Sequence, residues 1–325
     1  MGSRLFVCTL IAAAALYALQ NAAAAQDYPS RPIRLIVPYP AGGPTDVVGR
    51  ILASSLSAEL KQSVVVDNRP GGAAGTVGAH VVASAAPDGY TLLLSQVGSL
   101  TMAPSLYHLD YDPLKAFAPI GIAAQSPEVF AVNASLPVHS VAEFLAYAKK
   151  NPGKINFGTP GAGTLPNLLG AQLQIATGIK LITVPYRGAG PAVVDLLAGR
   201  MQMMIDSSSV LLVHIQSGKL RALAVSSDKR LAALPDVPTF GQAGYPQLTA
   251  SLWTGLLAPA GTPAPVIQKI SDALTASLKT PAVMQAYQKL DVETKIVSPA
   301  EMASFMAAET HKWAIVILRA GITAE

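Results

Sequence analysis

Two glycine-rich segments carry the residues best suited to binding chemistry. They are Pro38-Tyr-Pro-Ala-Gly-Gly-Pro-Thr-Asp46 and Gly158-Thr-Pro-Gly-Ala-Gly-Thr164, and each lies between a β-branched run and a helical pattern. A helix start offers unpaired N–H groups and the positive end of the helix dipole, and glycine lets the backbone approach an anion closely. Each segment is therefore predicted to hold carboxylate oxygens without a lysine or arginine, although either one alone is equally typical of a tight turn.

The sequence lacks the local signatures of nucleotide binding and catalysis. Neither segment ends in Lys-Ser/Thr as a P-loop does, and Pro166 stands where a G-x-G-x-x-G fingerprint needs its third glycine. There is no G-x-S-x-G or H-E-x-x-H motif, and the five histidines are scattered. A triad converging from distant positions stays open. The pattern favours a binding protein over an enzyme, with no cofactor and no metal site.

Strands that alternate with helices position these segments and predict an α/β fold with parallel pairing. Capping boxes at Ser140–Glu143 and Ser298–Glu301 each predict a helix start. The predicted strands are Ile33–Val37, Val64–Val66, Thr91–Ser95, Ile155–Gly158, Leu181–Val184, Met201–Ile205, Leu220–Val225, Leu252–Leu257 and Val292–Lys295. Further helices are predicted at Gly75–Ala85, Thr164–Ala176, Pro191–Ala198, Val210–Gln216 and Pro263–Leu278.

Composition indicates a globular protein with ample core. The chain has 325 residues, of which 51% are hydrophobic and 13% charged, so two lobes are expected. No run of Lys or Arg exceeds a pair, and no basic residues interleave with aromatic ones, which argues against a nucleic-acid partner. Trp253 and Trp313 lie in apolar segments and are interpreted as core residues.

The first 25 residues have the pattern of a secretory signal peptide. A short basic start, Met1–Arg4, precedes the apolar stretch Leu5–Leu19 and the small residues Ala22–Ala25. The stretch is shorter than the roughly 20 residues that a membrane-spanning helix needs. Cleavage is expected after Ala25, which removes Cys8 and leaves no cysteine for disulfides or metal ligation.

Several ordered motifs resemble the tripartite tricarboxylate transporter receptors, the Bug proteins of the periplasm. Besides the first glycine segment they are Asp67-Asn-Arg-Pro-Gly71, Ala86-Pro-Asp-Gly-Tyr-Thr-Leu-Leu93, Tyr111-Asp-Pro113, Phe117-Ala-Pro-Ile120, Tyr186-Arg-Gly188, Gly218-Lys-Leu-Arg-Ala-Leu-Ala224, Leu234-Pro-Asp-Val-Pro-Thr239 and Ala258-Pro-Ala-Gly-Thr-Pro263. The resemblance implies a two-lobed periplasmic-binding-protein fold (type II-like), in which a mostly parallel sheet flanked by helices forms each lobe. Residues 26–124 and 251–325 would form lobe 1 and residues 125–250 lobe 2, with the ligand cleft between them.

The resemblance also implies which residues meet the ligand. They are Tyr39, Ala41, Gly42, Gly43, Thr45 and Asp46 in the first loop, Thr159, Gly161, Ala162, Gly163 and Thr164 in the second, and Ser95, Gln96, Tyr186 and Asp206 around them. Asp206 would accept hydrogen bonds from a ligand amine or hydroxyl, and the alternative is a helix cap. Tyr186 and Arg187 could reach the distal part of the ligand, with Arg187 the only nearby candidate for a bidentate carboxylate contact, but Arg187 is interpreted rather as a solvated surface residue. Asn167 stands where the family often has histidine.

The implied function is capture of a small organic acid, a di- or tricarboxylate, an amino acid or an aromatic acid. The receptor would act in the periplasm as a monomer and deliver its ligand to membrane permease subunits of a tripartite transporter. A ligand-sensing module that signals to a membrane receptor is the alternative partner arrangement, and an envelope enzyme on the same fold is a third hypothesis.

Overall fold

The β-branched runs of the sequence form strands of one continuous mixed sheet. In this computed structural model residues 28–323 are described, so the predicted signal peptide and its cleavage site lie outside the described residues. The strands are β1 (Ile33–Val37), β2 (Val64–Asn68), β3 (Thr91–Gln96), β4 (Phe117–Asn133), β5 (Asn156–Thr159), β6 (Ile182–Pro185), β7 (Met203–Ser207), β8 (Leu220–Val225) and β9 (Ser251–Pro259).

Parallel pairing occurs towards the two ends of this sheet and antiparallel pairing in its middle. The strand order is β2-β1-β3-β9-β4-β7-β5-β6, and β8 also pairs with β4. β1 pairs in parallel with β2 and β3, and β5 pairs in parallel with β6 and β7. β9 and β4 are antiparallel to each of their partners. The sheet is thus more mixed than the alternation of strands and helices predicts.

The long strand β4 belongs to both halves of the sheet. Its first part pairs with β9, from Phe117 opposite Pro259 to Pro127 opposite Ser251. Its last residues, from Glu128 onward, pair instead with β7 and β8. Hereafter β1, β2, β3 and β9 are called the first half of the sheet, and β5 to β8 the second half. The chain passes between the halves along β4 and returns at the start of β9.

Helices cover both faces of the sheet. They are α1 (Pro44–Leu60), α2 (Thr76–Ala83), α3 (Ala103–Leu106), α4 (Pro113–Ala116), α5 (Val141–Lys150), α6 (Leu165–Thr177), α7 (Ala189–Leu197), α8 (Ser208–Gln216), α9 (Ala264–Lys279), α10 (Pro281–Lys289) and α11 (Pro299–Ala320). The Ser298–Glu301 capping box is present at the start of α11, as predicted. Ser140 likewise accepts a hydrogen bond from the Glu143 N–H at the start of α5.

Two local predictions were wrong or incomplete. The strand predicted at Val292–Lys295 is absent, and Glu293 makes only an isolated antiparallel bridge to Gln125. Strand β4 was not predicted because Pro119, Gly121 and Pro127 interrupt its sequence, and such residues usually mark turns. Shifts in register between Pro119 and Gly121 and between Ile122 and Ala124 let the strand continue.

Buried side chains fill the space between the sheet and its helices. One cluster packs β1, β3 and β9 against α1 and α9, through residues such as Leu35, Leu52 and Ile270. Another joins both halves of the sheet to α6 and α11. Trp253 and Trp313 are fully buried, which confirms their interpretation as core residues. No helix within residues 28–323 is long and apolar enough to cross a bilayer.

Candidate functional site

The first glycine segment links β1 to α1 and is held from within by Asp46. Gly43 is the N-cap of α1, and Gly42 has a φ of 81°, which favours glycine. Asp46 Oδ2 accepts hydrogen bonds from the Gly42 N–H at 2.8 Å and from Arg50 Nε at 2.9 Å. Asp46 Oδ1 accepts one from Asn68 Nδ2 at 3.0 Å. Both carboxylate oxygens therefore stabilise the loop itself.

The environment of Asp46 keeps its carboxyl ionised. Burial by itself raises the pKa, but hydrogen bonds from Arg50, the Gly42 N–H and Asn68 outweigh it. The net result is a pKa below the usual value for aspartate. An ionised carboxylate in the first turn of α1 also interacts favourably with the helix dipole.

The second glycine segment links β5 to α6 in the same manner, with a neutral side chain in place of the aspartate. Thr164 is the N-cap of α6, and Gly163 has a φ of 71°. The Gly163 N–H donates to Asn167 Oδ1 at 3.2 Å, and Thr164 Oγ1 donates to the Gly161 carbonyl at 2.8 Å. Asn167 thus orders the start of α6, whose first-turn N–H groups have no acceptor inside the helix.

A cavity of about 360 Å³, called cavity 1, lies between the two halves of the sheet. The first half and its loops contribute Tyr39, Ala74, Gln96, Val97, Gly98, Leu106, Tyr107 and Leu252. The second half, with the end of β4, contributes Glu128, Pro160, Ala162, Gly163, Thr164, Leu165, Pro166 and Asp206. Six of the residues expected to meet the ligand share this cavity: Tyr39, Gln96, Ala162, Gly163, Thr164 and Asp206.

A second cavity of about 350 Å³, called cavity 2, adjoins the first. Gly42 and Thr45, from the start of α1, line it together with residues of β4, β7 and β9. Gln96 and Leu252 line both cavities. The Gln96 side-chain amide donates to Thr45 Oγ1 at 2.8 Å, so Gln96 stands between the two spaces. The two helix starts therefore open into adjoining cavities, α6 into cavity 1 and α1 into cavity 2.

The remaining predicted residues line neither cavity. They are Ala41, Gly43, Asp46, Ser95, Thr159, Gly161 and Tyr186. Ser95 is fully buried and its hydroxyl meets that of Ser99. The Tyr186 hydroxyl donates to Asp195 Oδ2 at 2.7 Å on the surface of the second half. Arg187 is exposed, in agreement with its interpretation as a solvated residue.

Among the residues of cavity 1 that sequence reasoning missed, Glu128 is the one with a charged side chain. It is 1% exposed, on β4, and its backbone N–H donates to Ser226 Oγ at 2.8 Å. In the antiparallel pairing of β4 with β7, Glu128 lies opposite Ser207 and Val129 opposite Asp206, so the two acids lie one position apart in register, and both line cavity 1. The available signal was a lone glutamate beside the apolar run Val129–Val132, where a charge is expected only with a purpose.

The carboxyl groups of Glu128 and Asp206 have raised pKa values. Burial raises the pKa of both carboxyls above the usual range, and the charge of Asp206 raises that of Glu128 further. Asp206 Oδ1 accepts a hydrogen bond from the Ser207 N–H at 2.8 Å. Asp206 does not cap α8, because the N-cap of that helix is Ser207. Among residues 28–323, no lysine, arginine or histidine lines either cavity.

The described part of the chain offers no evident metal centre. Nowhere in residues 28–323 do three or more His, Cys, Asp or Glu side chains group as metal ligands would. Cavities 1 and 2 are instead lined by backbone, amide, hydroxyl and apolar groups, with the two acids as the exception. This composition suits a small organic molecule with a few polar groups.

Comparisons with known proteins identify relatives of this chain over most of its length. The chain matches the tripartite tricarboxylate transporter family receptor over residues 48–322. It is similar to the structure of periplasmic binding protein BugD, with 38% identity and a TM-score of 0.72, over 91% of this chain and 100% of that one. MatC from Rhodopseudomonas palustris with bound malate shows 30% identity and a TM-score of 0.72, over 89% and 100%.

A second R. palustris protein, solved with adipate, shows 32% identity and a TM-score of 0.76, over 92% of this chain and 100% of that one. These matches confirm the family resemblance and the two-lobed α/β fold class predicted from the sequence. The matched family is a transporter receptor family, and BugD is a periplasmic binding protein. This protein therefore belongs to the tripartite tricarboxylate transporter receptor family of periplasmic solute-binding proteins.

Proposed function

We propose that this protein captures a small organic acid in cavity 1 and delivers it to the membrane permease subunits of a tripartite transporter. The supporting observation is the start of α6, where Ala162, Gly163 and Thr164 line a cavity that both halves of the sheet enclose. Two similar receptors were solved with malate and with adipate, both of them dicarboxylates. No bond rearrangement is part of this proposal, so a bound acid should be recovered unchanged.

Backbone N–H and hydroxyl groups donate the hydrogen bonds that hold the ligand carboxylate. Free N–H groups in the first turn of α6 and the positive end of its dipole suit an anion, and no basic side chain lines the cavity. A second carboxylate on a longer acid would reach past Gln96 to the start of α1, where Gly42 and Thr45 line cavity 2. The glycine loops then act on two neighbouring positions of one ligand.

Closure of two lobes around the ligand is the second part of the proposal. Residues 26–124 and 251–325 would move as one lobe and residues 125–250 as the other. Support comes from β4, which changes partners between Pro127 and Glu128, and from the chain's return at Ala250. Two adjacent crossings of this kind are where a hinge absorbs backbone rotation.

Export follows from the N-terminal pattern, and we propose that the signal is removed after Ala25. N-terminal sequencing of the protein recovered from the periplasm checks this, with Gln26 as the expected first residue.

The mature chain would act as a monomer. Its partner is checked by pull-down from membranes with and without ligand, in which permease subunits rather than a sensor protein should be recovered.

Calorimetry with the mature chain tests the binding function. The protein is unfolded, dialysed and refolded to remove carried ligand, then titrated with malate, succinate, adipate, aspartate and benzoate, and with succinamide as an uncharged control. At least one acid should bind with a dissociation constant in the micromolar range or tighter, and succinamide should not bind. Failure of all the acids would contradict the proposal.

A further inference from the structure

One carboxylate oxygen of each acid in cavity 1 lacks a hydrogen-bond donor. Glu128 Oε2 and Asp206 Oδ2 are both buried and have no hydrogen-bond partner within the described residues. Glu128 is 1% exposed and Asp206 is 6% exposed. An ionised carboxylate only accepts hydrogen bonds, and leaving one buried without a donor is costly. The raised pKa values favour protonated carboxyls in the ligand-free protein, whereas donors for the ionised pair would come from whatever occupies the cavity.

Neighbouring hydroxyl groups do not supply these donors. Ser226 Oγ accepts from the Glu128 N–H and is itself bonded to the Ala250 carbonyl. The Ser207 hydroxyl lies 3.4 Å from Asp206 Oδ1, which is the oxygen that already has a partner. The other groups with titratable or amide side chains around the cavity are Tyr39, Tyr107 and Gln96, and none of them is a cation.

Cavity 1 contains hydrogen-bond donors at one position and hydrogen-bond acceptors at another. The start of α6 presents donors that suit a carboxylate, whereas Glu128 and Asp206 present acceptors that suit a positive group. A plain dicarboxylate satisfies the donors but sets its other charge beside two acids. A molecule that bears a carboxylate and an ammonium group satisfies both, because three N–H donors can be shared between the two carboxyls.

We propose that Glu128 and Asp206 form an ammonium-binding subsite of cavity 1, so that the preferred ligand is a small zwitterionic amino acid. This inference rests on the proposed function, since the carboxylate of the same ligand lies at the start of α6. A metal ion fits less well, because no third acid or histidine joins the pair among the described residues. The two acids therefore determine specificity for the ammonium group, and the start of α6 binds the carboxylate that all the candidate ligands share.

Three acids with one carbon skeleton test the inference. Aspartate, malate and succinate differ only in carrying an ammonium, a hydroxyl or a hydrogen at the second carbon. Titration of the refolded mature chain at pH 7.5 should show aspartate binding roughly tenfold or more tighter than the other two, as expected for a desolvated charge pair. Aspartate should also release protons, because an arriving ammonium favours the ionised carboxyls.

Variants assign the effect to the pair. Glu128→Gln and Asp206→Asn should each lower the affinity for aspartate by roughly 30-fold or more. Each should lower the affinity for succinate by less than about threefold. Asp110→Asn, at an exposed position, makes the same change of charge as a control and should leave both affinities unchanged. If a variant does not fold, proton release in two buffers of different ionisation enthalpy still tests the pair in the unaltered protein.

The outcomes separate this inference from the function on which it rests. Equal binding of succinate and aspartate, or equal weakening of both by Glu128→Gln, would overturn the ammonium subsite and leave an acid receptor. Binding of malate as tight as that of aspartate would show that the two acids recognise a hydroxyl group rather than an ammonium group. Binding of Mg²⁺ or Ca²⁺ alone in competition with aspartate would reassign the pair to a metal. Binding of no acid at all would remove the proposed function as well.

Discussion

The side chain of Gln96 donates a hydrogen bond to Thr45 Oγ1 at 2.8 Å and thereby connects the end of β3 to the first turn of α1. Gln96 also lines both cavities, so this contact lies at their common wall. The Gln96 amide therefore lies between the cavity at the start of α1 and the cavity at the start of α6. The length of the ligand that fits depends on whether this amide stays in place.

Gln96→Ala should therefore favour longer acids. Removing the amide joins cavities of about 360 and 350 Å³. Adipate has two more methylene groups than succinate, and at about 0.8 kcal/mol each their burial predicts a rise of up to roughly tenfold in the adipate-to-succinate affinity ratio. Calorimetry measures the ratio. Thr45→Val removes the acceptor but keeps the side-chain size, and an equal shift in that variant would show that the hydrogen bond, not the volume, matters.

Ala162→Asp should weaken acid binding. Ala162 is exposed at the rim of cavity 1, one residue before Gly163, so a carboxylate there opposes the ligand charge without a steric clash. A loss of about 1 to 2 kcal/mol in binding free energy is expected, relative to Ala162→Asn. The asparagine variant is matched in size and separates charge from bulk. If both variants bind alike, the carboxylate does not lie at the start of α6.

Asp46→Asn should destabilise the protein at neutral pH. The change removes a buried ionised acceptor of three hydrogen bonds, at a cost of about 1 to 3 kcal/mol in the free energy of unfolding. Because the folded pKa of Asp46 is lowered, its stabilisation is present above the unfolded value of about 3.9 and is lost as pH falls through the folded pKa. Urea unfolding at pH 7 and pH 3 measures this difference, and the exposed Asp110→Asn should change it little.

Glu128→Gln should stabilise the ligand-free protein at neutral pH. The folded pKa of Glu128 is raised by burial and by Asp206, so the folded state binds more protons than the unfolded state above about pH 4. Stability of the unaltered protein therefore falls as pH rises from about 4 through the folded pKa. The variant should lack most of this fall, with a gain of about 1 kcal/mol or more at pH 7.5. Thermal unfolding across pH 4 to 8 provides the measurement, and parallel curves for both proteins would contradict it.

Gly170→Ala should damage the framework behind the second loop. A Cβ at this position of α6 would lie 1.8 Å from Cε1 of Phe157, a fully buried residue of β5. A loss of about 1 to 3 kcal/mol in unfolding free energy is expected from overpacking. Gly190→Ala is the matched control, since no atom lies within 4 Å of a Cβ there, and alanine in α7 should be neutral or slightly stabilising. Equal stability of both variants would show that β5 can move away freely.

Local features were predictable from the sequence because their causes lie within a few residues. The Ser298–Glu301 capping box specifies the start of α11, and the two glycine segments do link a strand to a helix. Asp46 was expected in the first loop as a ligand-contacting residue, and its hydrogen bonds within the protein were not foreseen. Asn68 is 22 residues away along the chain, and only the pairing of β1 with β2 brings it to the loop.

The sequence by itself determined the alternating elements, because periodicity is a property of neighbouring residues. Its motifs determined the family, and that resemblance implied the six expected residues that line cavity 1. Only the tertiary structure decided that the two helix starts open into adjoining cavities with Gln96 between them. It also decided that Glu128 and Asp206 line the same cavity, because their proximity depends on the register of β4 against β7. Strand register across 78 positions of sequence is fixed by the packing of the whole sheet, which no local pattern records.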